Sequence, residues 1–172
     1  AKELIRLYAK QLKMPTFSQY KEVERQLEAT AGYDVFLLEL LKRELAERQS
    51  SSQKRRIKQA KFPVLNTMDE FDCNRCPNVE EAFLRQLATC DFVKSKSNLV
   101  LVGNPGVGKT HLSIALGMEA CRIGYHVRFY SAARLANELT EAADERRLNK
   151  LLNTLSKVDL LIVDELSYLT FN

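Results

Sequence analysis

Glycines, a lysine and a hydroxyl recur at the spacing G-x-x-x-x-G-K-[S/T] in Gly103-Asn104-Pro105-Gly106-Val107-Gly108-Lys109-Thr110. The chemistry open to such a loop is the holding of a polyphosphate. Gly103, Gly106 and Gly108 lack a Cβ, so the backbone can turn sharply and bring its N–H groups against phosphate oxygens. A helix beginning near Gly108 adds unpaired N-terminal N–H groups and the positive end of its dipole. Lys109 is placed to reach the β- and γ-phosphates of a nucleoside triphosphate, and the Thr110 hydroxyl to ligate Mg²⁺. Pro105 stiffens the loop. His111 follows at once and is counted with the nucleotide-binding stretch, although a lone His there is ordinarily packed or solvated and no chemical role is read for it.

Hydrolysis needs a carboxylate as well. Val158-Asp159-Leu160-Leu161-Ile162-Val163-Asp164-Glu165 supplies two at the end of an apolar run. Leu160 to Val163 reads as a parallel strand buried on both faces. Asp164 at its C-terminal edge would hold Mg²⁺ through water. Glu165 would polarise the water that attacks the γ-phosphate. A strand ending in a solvated acidic turn is the bland alternative; the phosphate loop argues against it.

The elements that must position these groups follow from periodicity. The apolar run Asn98–Val102 reads as the strand before the loop, and 108–122 as the helix after it, stopped by Gly124. A helix at 79–90, a strand at 126–130, a Ser131-capped helix at 132–143, a helix at 145–156 and a strand at 159–163 complete the alternation. Alternating strands and helices mean parallel βαβ units. Ahead of them lie helices at 2–13, with Leu4, Tyr8 and Leu12 on one face, at 18–30, opened by Ser18, and at 33–60. The first half of the last is expected to bury Val35, Leu38, Leu41 and Leu45, and Pro63 ends it. The organisation is therefore a basic helical module at 1–62, a linker at 63–78 and an α/β domain at 79–172.

Charge is uneven. Residues 1–62 carry 14 Lys/Arg against 8 Asp/Glu, whereas the remainder carries 12 against 14. The excess peaks at Lys54, Arg55, Arg56, Lys58 and Lys61, either a solvated helix face or a contact with a nucleic-acid backbone. The composition, 45% hydrophobic and 28% charged, is globular. No apolar run reaches membrane-span length, so no membrane partner is expected, and the start Ala1-Lys2-Glu3-Leu4 has no signal-peptide core. A cytoplasmic location is expected. Cys73-x-x-Cys76 has ligand spacing without a second pair, and with Cys90 and Cys121 it reads as reduced thiols.

With the motifs placed, the chain resembles the AAA+ ATPases, a three-layer αβα parallel-sheet P-loop fold. Within them it is similar to the IstB-type transposition helper ATPases, sisters of the DnaC-type helicase loaders. Residues 103–112, 124–132, 135–139 and 159–169 carry the likeness, which covers nearly all of the chain. The resemblance implies binding of ATP and ADP with Mg²⁺, and ATP hydrolysis by Lys109, Thr110, Asp164 and Glu165. It also implies that subunits dimerise and assemble further on double-stranded DNA with ATP, bend it and present it to a cognate transposase. The basic helical module would grip the DNA. The alternative is a helicase loader preferring single strands, and residues 1–70 separate the two. The family pattern continues past Asn172 with a sensor strand, an arginine finger and further helices. The expectation is thus that Asn172 is not the natural terminus, that strands 98–102 and 159–163 lack the partner between them, and that this segment hydrolyses ATP slowly.

Overall fold

The computed structural model describes residues 2–27, 32–73 and 79–166. Internal packing divides the chain into two compact units, 1–52 and 53–172. The division falls inside a helix and earlier than the boundary at 62 read from the sequence.

The first unit holds α1 (Lys2–Gln11), a 3-10 turn (Pro15–Gln19), α2 (Tyr20–Gln26) and most of α3 (Tyr33–Ala60). Part of the expected helix at 18–30 lies outside the described residues. The rest differs from the reading: Ser18 sits within the 3-10 turn, and Gln19, without a side-chain cap bond, precedes α2. Proline at the first position accounts for this, because its fixed φ starts a turn before Ser18 can cap one.

The buried face of α3 also differs. Leu40 and Glu44, one turn apart, are 4% and 5% exposed, while Val35, Leu38, Leu41 and Leu45 are all more than 40% exposed. At 100° per residue those four lie on the side of the helix away from Leu40 and Glu44. A polar anchor sets the orientation. Glu44 Oε2 accepts from the Thr16 hydroxyl and N–H, and Oε1 accepts from Arg48 Nε at 2.7 Å. Arg48 also donates to the Lys13 carbonyl. Leu4 and Tyr8 of α1, and Leu12 just past its end, are likewise exposed.

In the second unit the last turns of α3 pack into a core. Ile57, Ala60 and Phe62 meet Cys90, Ile114, Ala120, Cys121, Val127, Phe129 and Ile162. Helix α3 stops where Lys61 turns left-handed (φ 58°), with Pro63 following. Then come α4 (Glu81–Ala88), α5 (Asp91–Lys94), α6 (Lys109–Ile123), β1 (Val127–Ser131), α7 (Ala132–Asp144), α8 (Leu148–Leu155) and β2 (Leu160–Asp164). Ser131 caps α7 as its position predicts, its hydroxyl accepting from Arg134 N–H at 3.4 Å.

Strands β1 and β2 are parallel, paired from Val127–Leu160 to Ser131–Asp164. The strand expected at 98–102 does not form. Val100 and Val102 are 76% and 90% exposed, and Leu101 alone turns toward Phe71, Leu84, Leu112 and Leu116. A strand exists only through a ladder, and no described strand lies beside this segment to pair with its N–H and C=O groups. The sheet is therefore two-stranded.

Burial pushes the thiols of Cys90 and Cys121 up to about 11, so both stay neutral at physiological pH. Cys76 lies outside the described residues. No described helix is long and apolar enough to cross a membrane.

Candidate nucleotide site

The phosphate loop joins the extended segment to α6, and its backbone is built by glycine where the sequence demanded it. Gly106 and Gly108 have φ of 83° and 95°, a region L side chains rarely adopt. Open space surrounds the Cβ position of Gly106, whereas at Gly108 a Cβ would meet the Phe71 ring at 3.0 Å. Gly108 precedes α6 and has no side chain to cap it, so the first N–H groups of a 15-residue helix are left for an anion. Asn104 and Pro105 lie exposed and Val107 half-buried.

Lys109 folds back over the loop. Its ammonium donates to the carbonyls of Gly103 at 2.8 Å and Asn104 at 2.9 Å. The next residue reaches across to the sheet: Thr110 Oγ1 donates to Asp164 Oδ2 at 2.7 Å.

The packing of α6 on β2 produces that meeting. Gly117 faces Ile162 so closely that a Cβ would lie 2.8 Å from Ile162 Cδ1 and 2.9 Å from the Phe62 ring. Thr110 and Gly117 are two turns apart on one helix face, and Ile162 and Asp164 are two apart on one strand face. One close approach thus sets the other. Glu165 comes next, exposed and left-handed at φ 61°. A non-glycine residue there is uncommon, and such backbone clusters at functional sites.

Two oxygens converging from helix and strand suit a small hard cation, and the uncapped helix end with glycine turns suits a triphosphate. The donor set fits Mg²⁺ and ATP.

His111 is turned elsewhere: its ring is committed to Thr67 and Phe71. Phe71 is 8% exposed. Of the basic residues, Lys54, Arg55, Lys58 and Lys61 are exposed, whereas Arg56 donates from Nε to the Cys121 carbonyl at 2.7 Å, in the last turn of α6. Sequence reasoning missed that bond, because a charge run does not say which of its members faces a helix end. It also missed Gly117, although a glycine inside a helical pattern is itself a signal of close packing.

Comparison with known proteins gives the family of the chain. The IstB-like ATP binding protein family matches residues 7–172. The chain belongs to that family. It is 38% identical over 170 residues to a protein of insertion sequence IS5376 from Geobacillus stearothermophilus described as ATP-binding, covering 98% of this chain and 68% of the relative. It is 38% identical over 163 residues to the corresponding protein of insertion sequence IS21 from Pseudomonas aeruginosa, covering 94% of this chain and 62% of the relative. A Bacteroides fragilis relative of the IS21-like kind is 30% identical over 166 residues. The chain thus spans about two thirds of the length of these relatives. Its fold class is α/β, a small parallel sheet and helices consistent with a partial P-loop NTPase fold.

Proposed function

We propose that this IstB-like chain is an ATP-hydrolysing assembly factor of transposition, whose subunits gather on duplex DNA and present it to a cognate transposase. The observation that carries the ATP half is the 2.7 Å bond between Thr110 and Asp164 with Glu165 beside it. In this reading the loop N–H groups and Lys109 hold the phosphates, with Lys109 exchanging its loop carbonyls for phosphate oxygens. Thr110 and Asp164 hold Mg²⁺, which offsets charge on the phosphates. Glu165 accepts the proton of the attacking water.

The DNA half rests on charge and on the names of the relatives. Lys54, Arg55 and Lys58 share an arc of about 100° on α3, on a different side from Ile57 and Ala60, with Lys61 just beyond. Exposed cations in a row suit a phosphate backbone. The uncovered stripe of Val35, Leu38, Leu41 and Leu45 supports self-association, since an apolar helix face of this kind is ordinarily covered by a partner.

The test is ATPase activity and binding to duplex against single-stranded DNA, with and without ATP. ATP-dependent clustering on duplex is expected. Lys109→Ala should abolish it, and Glu165→Gln should bind ATP while slowing turnover by ~10²-fold or more. Reversing Lys54, Arg55 and Lys58 should reduce the salt slope of DNA binding by about three. A preference for single strands would favour the helicase-loader function, and undiminished ATP turnover in Glu165→Gln would remove Glu165 from the chemistry.

A further inference from the structure

The segment Thr67–Phe71, between α3 and α4, forms a strap that closes on itself and on the phosphate loop. Thr67 donates from both its N–H and its hydroxyl to Glu70 Oε2, each at 2.9 Å. Phe71 N–H donates to the Met68 carbonyl at 3.2 Å. The strap's turn is thus locally complete and presents both the Thr67 carbonyl and the Phe71 ring to α6.

His111, in the first turn of α6, takes both. Its Nε2 lies 3.0 Å from the Thr67 carbonyl. A carbonyl can only accept, so Nε2 carries the proton. The ring meets Phe71 edge-on, centroids 5.5 Å apart at 62°. Phe71 in turn comes within 3.0 Å of where a Cβ on Gly108 would stand, and packs with Leu84, Leu112 and Leu116. Gly108 is the left-handed residue (φ 95°) whose carbonyl accepts the Leu112 N–H at 2.9 Å and so opens α6. One imidazole therefore joins the strap to the residue at which the loop becomes a helix.

We propose that His111 is a positioning residue for the triphosphate loop: by holding Thr67 and Phe71 it keeps an aromatic buttress against Gly108, and so fixes the turn that aims the loop's N–H groups. It acts through Phe71 and touches no phosphate. This rests on the reading of the loop as an ATP site, yet the mechanical link is measurable without nucleotide.

The experiment compares wild type, His111→Ala and His111→Gln. Glutamine can still donate an N–H toward the Thr67 carbonyl. Amide hydrogen exchange is followed without nucleotide across 67–71, 106–110, α7 and α8, and Mg·ATP affinity is measured by calorimetry. In His111→Ala, exchange should rise together in 67–71 and 106–110 and stay unchanged in α7 and α8, with ATP binding weakened ~10-fold, the scale of one hydrogen bond. His111→Gln should recover most of both. Unchanged exchange at 106–110 in His111→Ala overturns the proposal, as does a rise spread equally over α7 and α8, which marks a general packing role. Linked exchange in a wild-type chain that binds no ATP supports the buttress and overturns the nucleotide reading instead.

Discussion

Thr110 and Asp164 stand 54 residues apart in the chain and share a hydrogen bond of 2.7 Å. The hydroxyl sits on the first turn of α6 and the carboxylate on the last residue of β2. Neither group makes a cation site alone.

If the two act as one unit, their substitutions will not add. Thr110→Ala and Asp164→Asn should each weaken Mg²⁺-dependent nucleotide binding by at least tenfold, while the double variant should be little worse than either. Without nucleotide, thermal unfolding should lose no more than about 1.5 kcal/mol, because one partly solvated hydrogen bond is removed. Additive losses in the binding cycle would show that the two contribute separately.

The close approach of α6 and β2 at Gly117 can be tested by moving the offending atom. Gly117→Ala gains helix propensity of up to about 1 kcal/mol. It also brings a Cβ to within 2.8 Å of Ile162 Cδ1, and overpacking of this kind costs about 1–3 kcal/mol. A net loss of stability is expected, together with weaker nucleotide binding as Thr110 shifts from Asp164. Ile162→Val removes the Cδ1 carbon itself. Adding it to Gly117→Ala should therefore restore part of both losses, although alone it costs about 0.5–1.5 kcal/mol. Failure of the pair to compensate, in melting temperature and in affinity, would show that Phe62 or the backbone carries the strain.

Glu44 gives the first unit an acid sensitivity. Burial by itself would raise its carboxyl, but the Thr16 hydroxyl, Arg48 and the Thr16 N–H favour the charged form and draw the value below 4.5. A folded value below the unfolded one adds stability that is present above about pH 4.5 and is lost as pH falls through the folded value. Glu44→Gln should therefore unfold more easily at pH 7, by about 1–3 kcal/mol, and show a flatter acid limb below about pH 4.5. Denaturant melts across that range measure both, and parallel limbs in the two proteins would exclude Glu44 as the sensor.

Much of this molecule was legible locally. The loop's glycines, Lys109 and Thr110 follow from the needs of a phosphate cradle, and they occur where φ turns positive at Gly106 and Gly108. Helix α6 and the Ser131 cap follow from periodicity and from hydrogen bonds that close within a few residues. Such features need only neighbours in sequence, so residue types and spacing were sufficient to read them. The failures were those of partnership. Apolar residues at 98–102 have strand character but no ladder, and Val35, Leu38, Leu41 and Leu45 form an apolar stripe that the first unit leaves uncovered.

What the sequence by itself determined, then, was which residues could cradle a polyphosphate and most of the elements bearing them. The tertiary structure alone decided which groups meet. It set Thr110 against Asp164 through the Gly117–Ile162 approach, turned Arg56 inward to the end of α6 while Lys54, Arg55 and Lys58 stayed outside, and bound His111 to the strap. The reason is physical: propensity and periodicity act over a few residues, whereas these contacts arise from packing between segments tens of residues apart, where one methyl group or one carbonyl chooses the partner.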